Sequence, residues 1–170
     1  MYTLPHPLRL RNMADEAVDG GADAAFCRTL YASTRDDLRL LPLPPVQREQ
    51  LIALQQRVHE DGRRHAWPQA EVLILEHAGR PVGRVVVAGG GTAWRLVELA
   101  LLPGMHGRGL GRAVVEALQE RAGAHGAAIG LSVACANEAA LRLYRRAGFA
   151  HAGGDALHHE MVWRPPQNIT

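Results

Sequence analysis

The chain has 170 residues, 47% hydrophobic and 21% charged, with a formal net charge of +2 and two cysteines, Cys27 and Cys135. That length is enough for one domain with a sizeable core, expected to span residues 1–170. So small a net charge argues against nucleic acid as a partner, and two cysteines are too few for a disulfide framework. No apolar run approaches the ~20 residues of a membrane span, and residues 1–10 lack the apolar core of a signal peptide. A cytoplasmic protein without membrane contact is expected.

In chain order, residues 8–11 alternate as a short first strand, and helices are expected over 22–33 and 46–63. The second helix would turn Val46, Leu51, Ile52, Leu54 and Val58 inward. Between the two lies a proline-rich connection, 38–45, that can continue neither. Residues 71–77 and 81–88 read as a hairpin around Gly79, and a glycine triplet at 89–91 leads into a strand over 94–102. Pro103 ends that strand. After the loop 106–112 comes an amphipathic helix with Leu110, Val114, Val115 and Leu118 at helical spacing. A strand over 129–134, a helix opening at Asn137, and two final strands within 149–163, joined near Gly153 and Gly154, complete the chain.

The passage from strand to glycine-rich loop to helix carries the chemistry. Gly107, Gly109 and Gly111 alternate, so the backbone can approach a ligand closely, and its N–H groups meet the positive end of the helix dipole. Such a loop binds an anion, most naturally a phosphate. Arg108 and Arg112 flank that position and are suited to bidentate phosphate contacts. A nucleotide-binding loop would need Lys and then Ser or Thr after its last glycine; here Arg112 and Ala113 follow, and the chain contains no lysine. A dinucleotide fingerprint would need G-x-G-x-x-G near a first strand, and these glycines are out of phase and two-thirds along the chain.

The loop resembles motif A of the GNAT superfamily of N-acetyltransferases, [Q/R]-x-x-G-x-[G/A] after a strand that ends in apolar-x-Pro. Gly109 and Gly111 match, as does Leu101-Leu102-Pro103, while His106 stands where Arg or Gln is usual and either contacts a phosphate or points to water. A second segment resembles motif B, N-x-x-A-x-x-L-Y-x-x-x-G-F, in every specified position: Asn137, Ala140, Leu143, Tyr144, Gly148 and Phe149. Asn137 suits a helix N-cap and Gly148 the position that ends the helix. Together the signatures cover about residues 94–150.

The resemblance implies a mixed α/β fold: a mostly antiparallel sheet of about seven strands, splayed at its two central strands, with about four helices. It implies an acetyl-CoA-dependent N-acetyltransferase, a monomer or homodimer, in which an amine attacks the thioester directly. Coenzyme A would lie against Leu101, Leu102, His106, Gly107, Arg108, Gly109, Leu110, Gly111, Arg112, Asn137 and Tyr144. Backbone N–H groups near Leu101 and Leu102 would polarise the thioester carbonyl, and Tyr144 would protonate the leaving thiolate or else merely pack its helix on the sheet. Glu98 is the one ionisable residue within the apolar stretch 96–102. It would accept the amine's proton, or else sit on the solvent face or pair with an arginine. Arg95 reads as a surface charge. The resemblance assigns the acyl-CoA core to about 70–150, the acceptor side to about 15–67 and the closing strands to about 149–163. The acceptor side offers Tyr31, Arg35, Asp36, Asp37, His59 and Trp67, a polar set suited to an amine on a small molecule, amino acid or peptide. A protein or tRNA acceptor, or an acyl-CoA sensor without turnover, would be the alternatives. No metal is expected: His158-His159-Glu160 lacks the spacing of a metal motif, and strand alternation sends the two histidines to opposite faces.

Overall fold

The computed structural model describes residues 1–14 and 21–166; the opening of the expected acceptor segment, 15–20, lies outside the described residues. Among the described residues seven strands form one sheet: β1 (Leu8–Asn12), β2 (Glu71–His77), β3 (Arg80–Ala88), β4 (Ala93–Leu101), β5 (Ala128–Ala134), β6 (Ala150–Gly154) and β7 (His158–Trp163). Their spatial order is β1-β2-β3-β4-β5-β7-β6, and only the β4–β5 pair is parallel. The helices are α1 (Ala22–Ser33), α2 (Asp36–Arg39), α3 (Pro45–Ala66), α4 (Leu110–Ala124) and α5 (Glu138–Arg146). The described residues thus hold five α-helices where about four were expected, because Asp36 and Asp37 start a short turn of helix ahead of the prolines. Pro45 then opens α3 at its first position, where its missing N–H is no loss. None of these helices is long and apolar enough to cross a membrane.

One face of the sheet carries the main core. Leu73, Leu75, Val85, Val87, Trp94 and Leu96 pack there against Val114, Val115 and Leu118 of α4 and Leu141 and Tyr144 of α5. Val72, Ile74 and Val86 alternate onto the opposite face, which α1 and α3 cover, and are also buried. The cap of α5 is the expected one: Asn137 accepts a hydrogen bond from the Ala140 N–H at 3.1 Å. At the other end Phe149 N–H donates to Tyr144 O and Gly148 N–H to Arg145 O, each 3.0 Å. With Gly148 at φ 86° this is a complete Schellman stop.

Two irregularities in β4 shape the surroundings of its C-terminal half. Its pairing with β5 runs only from Ala93↔Ala128 to Leu96↔Leu131, although both strands continue, so a gap opens beyond that point. In addition Val86 faces Glu98 and Val87 faces Leu96, which leaves Val97 as the extra residue of a β-bulge. A bulge shifts the phase of alternation by one residue. Leu99 and Leu101 therefore join Trp94 and Leu96 on the core face, while Glu98 turns to the face under α1 and α3.

Three readings from the sequence are corrected. Val46, Leu54 and Val58 do not point inward but are 64%, 53% and 61% exposed; Leu51 and Ile52 are half-buried. The inner face of α3 is polar, with Glu60 and the buried Arg63 turned toward the sheet, so hydrophobic spacing pointed to the wrong side. Arg95 is no free surface charge, since it donates to Glu160 at 2.7 and 3.2 Å. The final hairpin turns around Asp155, which accepts from the N–H groups of Leu157 and His158, and Gly153 and Gly154 belong to β6 instead.

Candidate active site

The gap between β4 and β5 has a cavity on either side of it. On the core face a cleft of about 450 Å³ is bounded by the glycine loop, the start of α4, Asn137 and Tyr144. Gly107 and Gly109 take φ of 72° and 78°, the left-handed region that favours glycine, and a Cβ built on either meets nothing within 4 Å. Gly109 is the N-cap of α4 and no side chain caps the helix. The first intrahelical bond is Ala113 N–H to Gly109 O, so the amides of Leu110, Gly111 and Arg112 have no acceptor within the helix. Leu102 N–H donates to Val82 O at 2.9 Å; by strand alternation the Leu101 N–H then points the other way, into the gap. Tyr144 lines the same cleft, and burial pushes its phenol up to about 12.

On the opposite face a smaller cavity of about 260 Å³ is lined by Cys27, Leu30, Tyr31, Thr34, Arg35, His59, Arg84, Glu98 and Ala100. Arg84 projects from β3 with its side chain 6% exposed. It donates to both carboxylate oxygens of Glu60, which also accepts from Arg63 at 3.1 and 3.2 Å. Burial works against the charge on Glu60, but Arg84 and Arg63 hold its carboxyl down to about 2. Burial likewise opposes the charge on Arg84, yet Glu60 and Glu98 keep its pKa above the ordinary arginine value. Arg84 Nε is buried without a hydrogen-bond partner and stands 3.6 Å from Glu98 Oε1. The other oxygen of Glu98 lies 3.4 Å from Nε2 of His59. That contact raises the pKa of the imidazole despite partial burial. Arg35 donates to the Tyr31 hydroxyl and pairs with Asp37 at 2.8 Å.

The model of the acetyltransferase (GNAT) family matches residues 31–149, well over half of the chain. The chain belongs to this family. Among solved structures it resembles the PaiA N-acetyltransferase of Thermoplasma acidophilum in complex with coenzyme A, at 14% identity and a TM-score of 0.66 over 92% of this chain and 98% of that one. It also resembles the ribosomal-protein-S18-alanine N-acetyltransferase of Escherichia coli, at 19% identity and TM-score 0.61 over 96% and 99%. A third likeness is to nourseothricin acetyltransferase, with 27% identity and TM-score 0.51 over 58% of this chain and 67% of that one. No curated protein matches the sequence.

In this acetyltransferase the structure gathers most of the residues singled out from the sequence. Leu101, His106, Gly107, Gly109, Leu110, Gly111, Arg112, Asn137 and Tyr144 line the larger cleft, while Tyr31, Arg35 and Glu98 line the smaller one. Leu102 does not line the cleft, and its N–H is committed to β3, so it has no amide for a thioester. Arg108 is not itself among the lining residues, but its guanidinium donates at 3.0 Å to the sulfur of Met105, which is. Arg112 is 74% exposed and paired with Glu116 at 2.6 Å. His106 is exposed at the cleft lining, and its Nε2 lies 3.0 Å from Leu101 O. Arg84 and Glu60 were missed. Arg84 carried the signal that picked out Glu98, a single charge inside an apolar strand, here between Gly83 and Val85.

Proposed function

We propose that the larger cleft binds acetyl-CoA, that the smaller cavity receives a primary amine, and that the two substrates meet through the gap between β4 and β5. The observation that carries this reading is the alternation past the bulge: Leu99 and Leu101 line the cleft and Glu98 and Ala100 the cavity, so one short stretch of β4 faces both substrates. The residues fit the coenzyme's phosphates, because the uncapped amides of α4 and the left-handed glycines present N–H groups to open space. Bound there, acetyl-CoA supplies the thioester carbon that the amine attacks, and holding both substrates in place provides much of the rate. The Leu101 N–H polarises the carbonyl. The Tyr144 hydroxyl, protonated across the working pH range, donates to the departing sulfur. Glu98 accepts the proton that the ammonium must lose. A cavity of about 260 Å³ suits the amine-bearing end of a small molecule, amino acid or peptide.

Thermal unfolding with acetyl-CoA tests the coenzyme site. At a hundredfold excess over Kd one-site linkage gives about 2.7 kcal/mol of stabilisation. Gly109→Glu, which places a side chain and a negative charge at the left-handed cap, should abolish it. Stabilisation that survives in that variant, or a larger effect of ATP or NAD, overturns the assignment. Thiol release from acetyl-CoA across a panel of amines then tests transfer itself.

A further inference from the structure

His59 stands between Glu98 and solvent. Its Nε2 lies 3.4 Å from Glu98 Oε2, and its side chain is 51% exposed against 21% for Glu98. The other side of the carboxylate is closed: Oε1 faces the buried Arg84 Nε at 3.6 Å. Charged and titratable groups from every neighbouring element bear on the pair. From α1 come the Tyr31 ring, 5.8 Å from the imidazole, and the buried Cys27. Glu60 comes from the same helix as His59 and Arg84 from β3, and these two bind each other. Arg35 is held by Asp37 and Tyr31. None of these groups is both against Glu98 and open to solvent, as His59 is.

We propose that His59 acts through Glu98 as the proton outlet of the acetyl transfer, taking from the carboxyl the proton that the amine has left there and passing it to water. The proposal rests on the reading of the smaller cavity as the amine site. An N–H bond of the ammonium breaks, its electron pair stays on nitrogen, and an O–H bond forms on Glu98. That proton then moves to Nε2 of an imidazole carrying its own proton on Nδ1, which restores the carboxylate. The imidazolium loses the Nδ1 proton to water, and proton exchange of the half-exposed ring with water returns it from the resulting Nε2–H form to the Nδ1–H form for the next turnover. The relay needs a neutral His59 at the start. When His59 is protonated, it pairs with Glu98 and also repels the incoming ammonium. Because Glu98 holds the imidazole pKa above its ordinary 6.5, turnover should rise with pH through a value above 6.5.

The test compares the parent with His59→Gln, which keeps a hydrogen-bond donor beside Glu98 but cannot carry a proton. Acetyl-CoA is supplied with spermidine, L-lysine, kanamycin and an alanine-initiated tetrapeptide, and the fastest of these is followed by thiol release from about pH 5.5 to 8.5, a window spanning the histidine range. The parent-to-variant rate ratio should be near one at the acid end and climb to roughly tenfold or more on the alkaline side, within the usual range for a lost proton-transfer group. In parallel, the NMR titration of the His59 ring should fall toward the ordinary value in Glu98→Gln. A ratio flat with pH, or a His59 titration unmoved by Glu98→Gln, overturns the relay. Glu98→Gln retaining the full rate with its acid limb intact also overturns it, since His59 would then take the proton directly. Absence of thiol release from the parent with all four amines instead overturns the acyl-transfer reading beneath it.

Discussion

Glu60→Gln is the most informative single change, because it probes the ion network that backs the proposed amine site. Glu60 is 16% exposed and lies between Arg84, 6% exposed, and Arg63, 4% exposed. A fall of its carboxyl from the ordinary 4.5 to about 2, at about 1.4 kcal/mol per pH unit, is worth about 3 kcal/mol of folding stability. Removing one partner of a buried ion pair costs about 3–5 kcal/mol, the same order by an independent route. Urea unfolding at pH 7 should therefore show Glu60→Gln less stable by about 3 kcal/mol. The sign with pH follows from the folded carboxyl having the lower pKa. Its contribution is complete above the unfolded value near 4.5 and is lost as pH falls toward about 2, so parent and variant should converge in acid. A loss under about 1 kcal/mol at pH 7, the level of an exposed pair, would refute the reasoning, as would a difference that stays constant with falling pH.

Tyr144→Phe should leave coenzyme binding and thermal stability nearly intact while lowering the chemical rate by about 10² to 10⁴; a rate within about twofold of the parent, far short of that range, would return Tyr144 to packing. In Gly83→Ala the new Cβ would sit 2.6 Å from Ala100 O and 2.7 Å from Leu101 Cδ2, so β3 and β4 must part beside the Leu101 amide. That should cost about 1–3 kcal/mol in urea unfolding and depress thiol release as well, and a variant equal to the parent in both would refute the close approach. Of the two thiols, the half-exposed Cys135 should react with a disulfide reagent in the native protein, while Cys27, buried and with its pKa raised by that burial, should react only on unfolding; fast native labelling of both would show that α1 opens readily.

What could be read without the structure was whatever depends on near neighbours in the chain. The left-handed glycines before α4, the Asn137 cap and the Gly148 stop of α5 are set by residues within a turn of one another, and each lies where the sequence pattern puts it. The strands around them were legible for the same reason, since alternation and turn residues are local signals. The environment of Glu98 was not local. It depends on the bulge at Val97, which appears only when β4 is laid against β3 and Val86 and Val87 claim Glu98 and Leu96 as partners. From that one extra residue follow the face Glu98 takes, its place beside Arg84 from another strand, and the approach of His59 from a helix 39 residues earlier. The same long-range packing inverted the expectation for α3: its inner face had to answer the buried Arg84 with Glu60, and Val46, Leu54 and Val58 were left outside. A buried guanidinium demands a carboxylate from wherever the fold can bring one, and only the tertiary structure decides where that is.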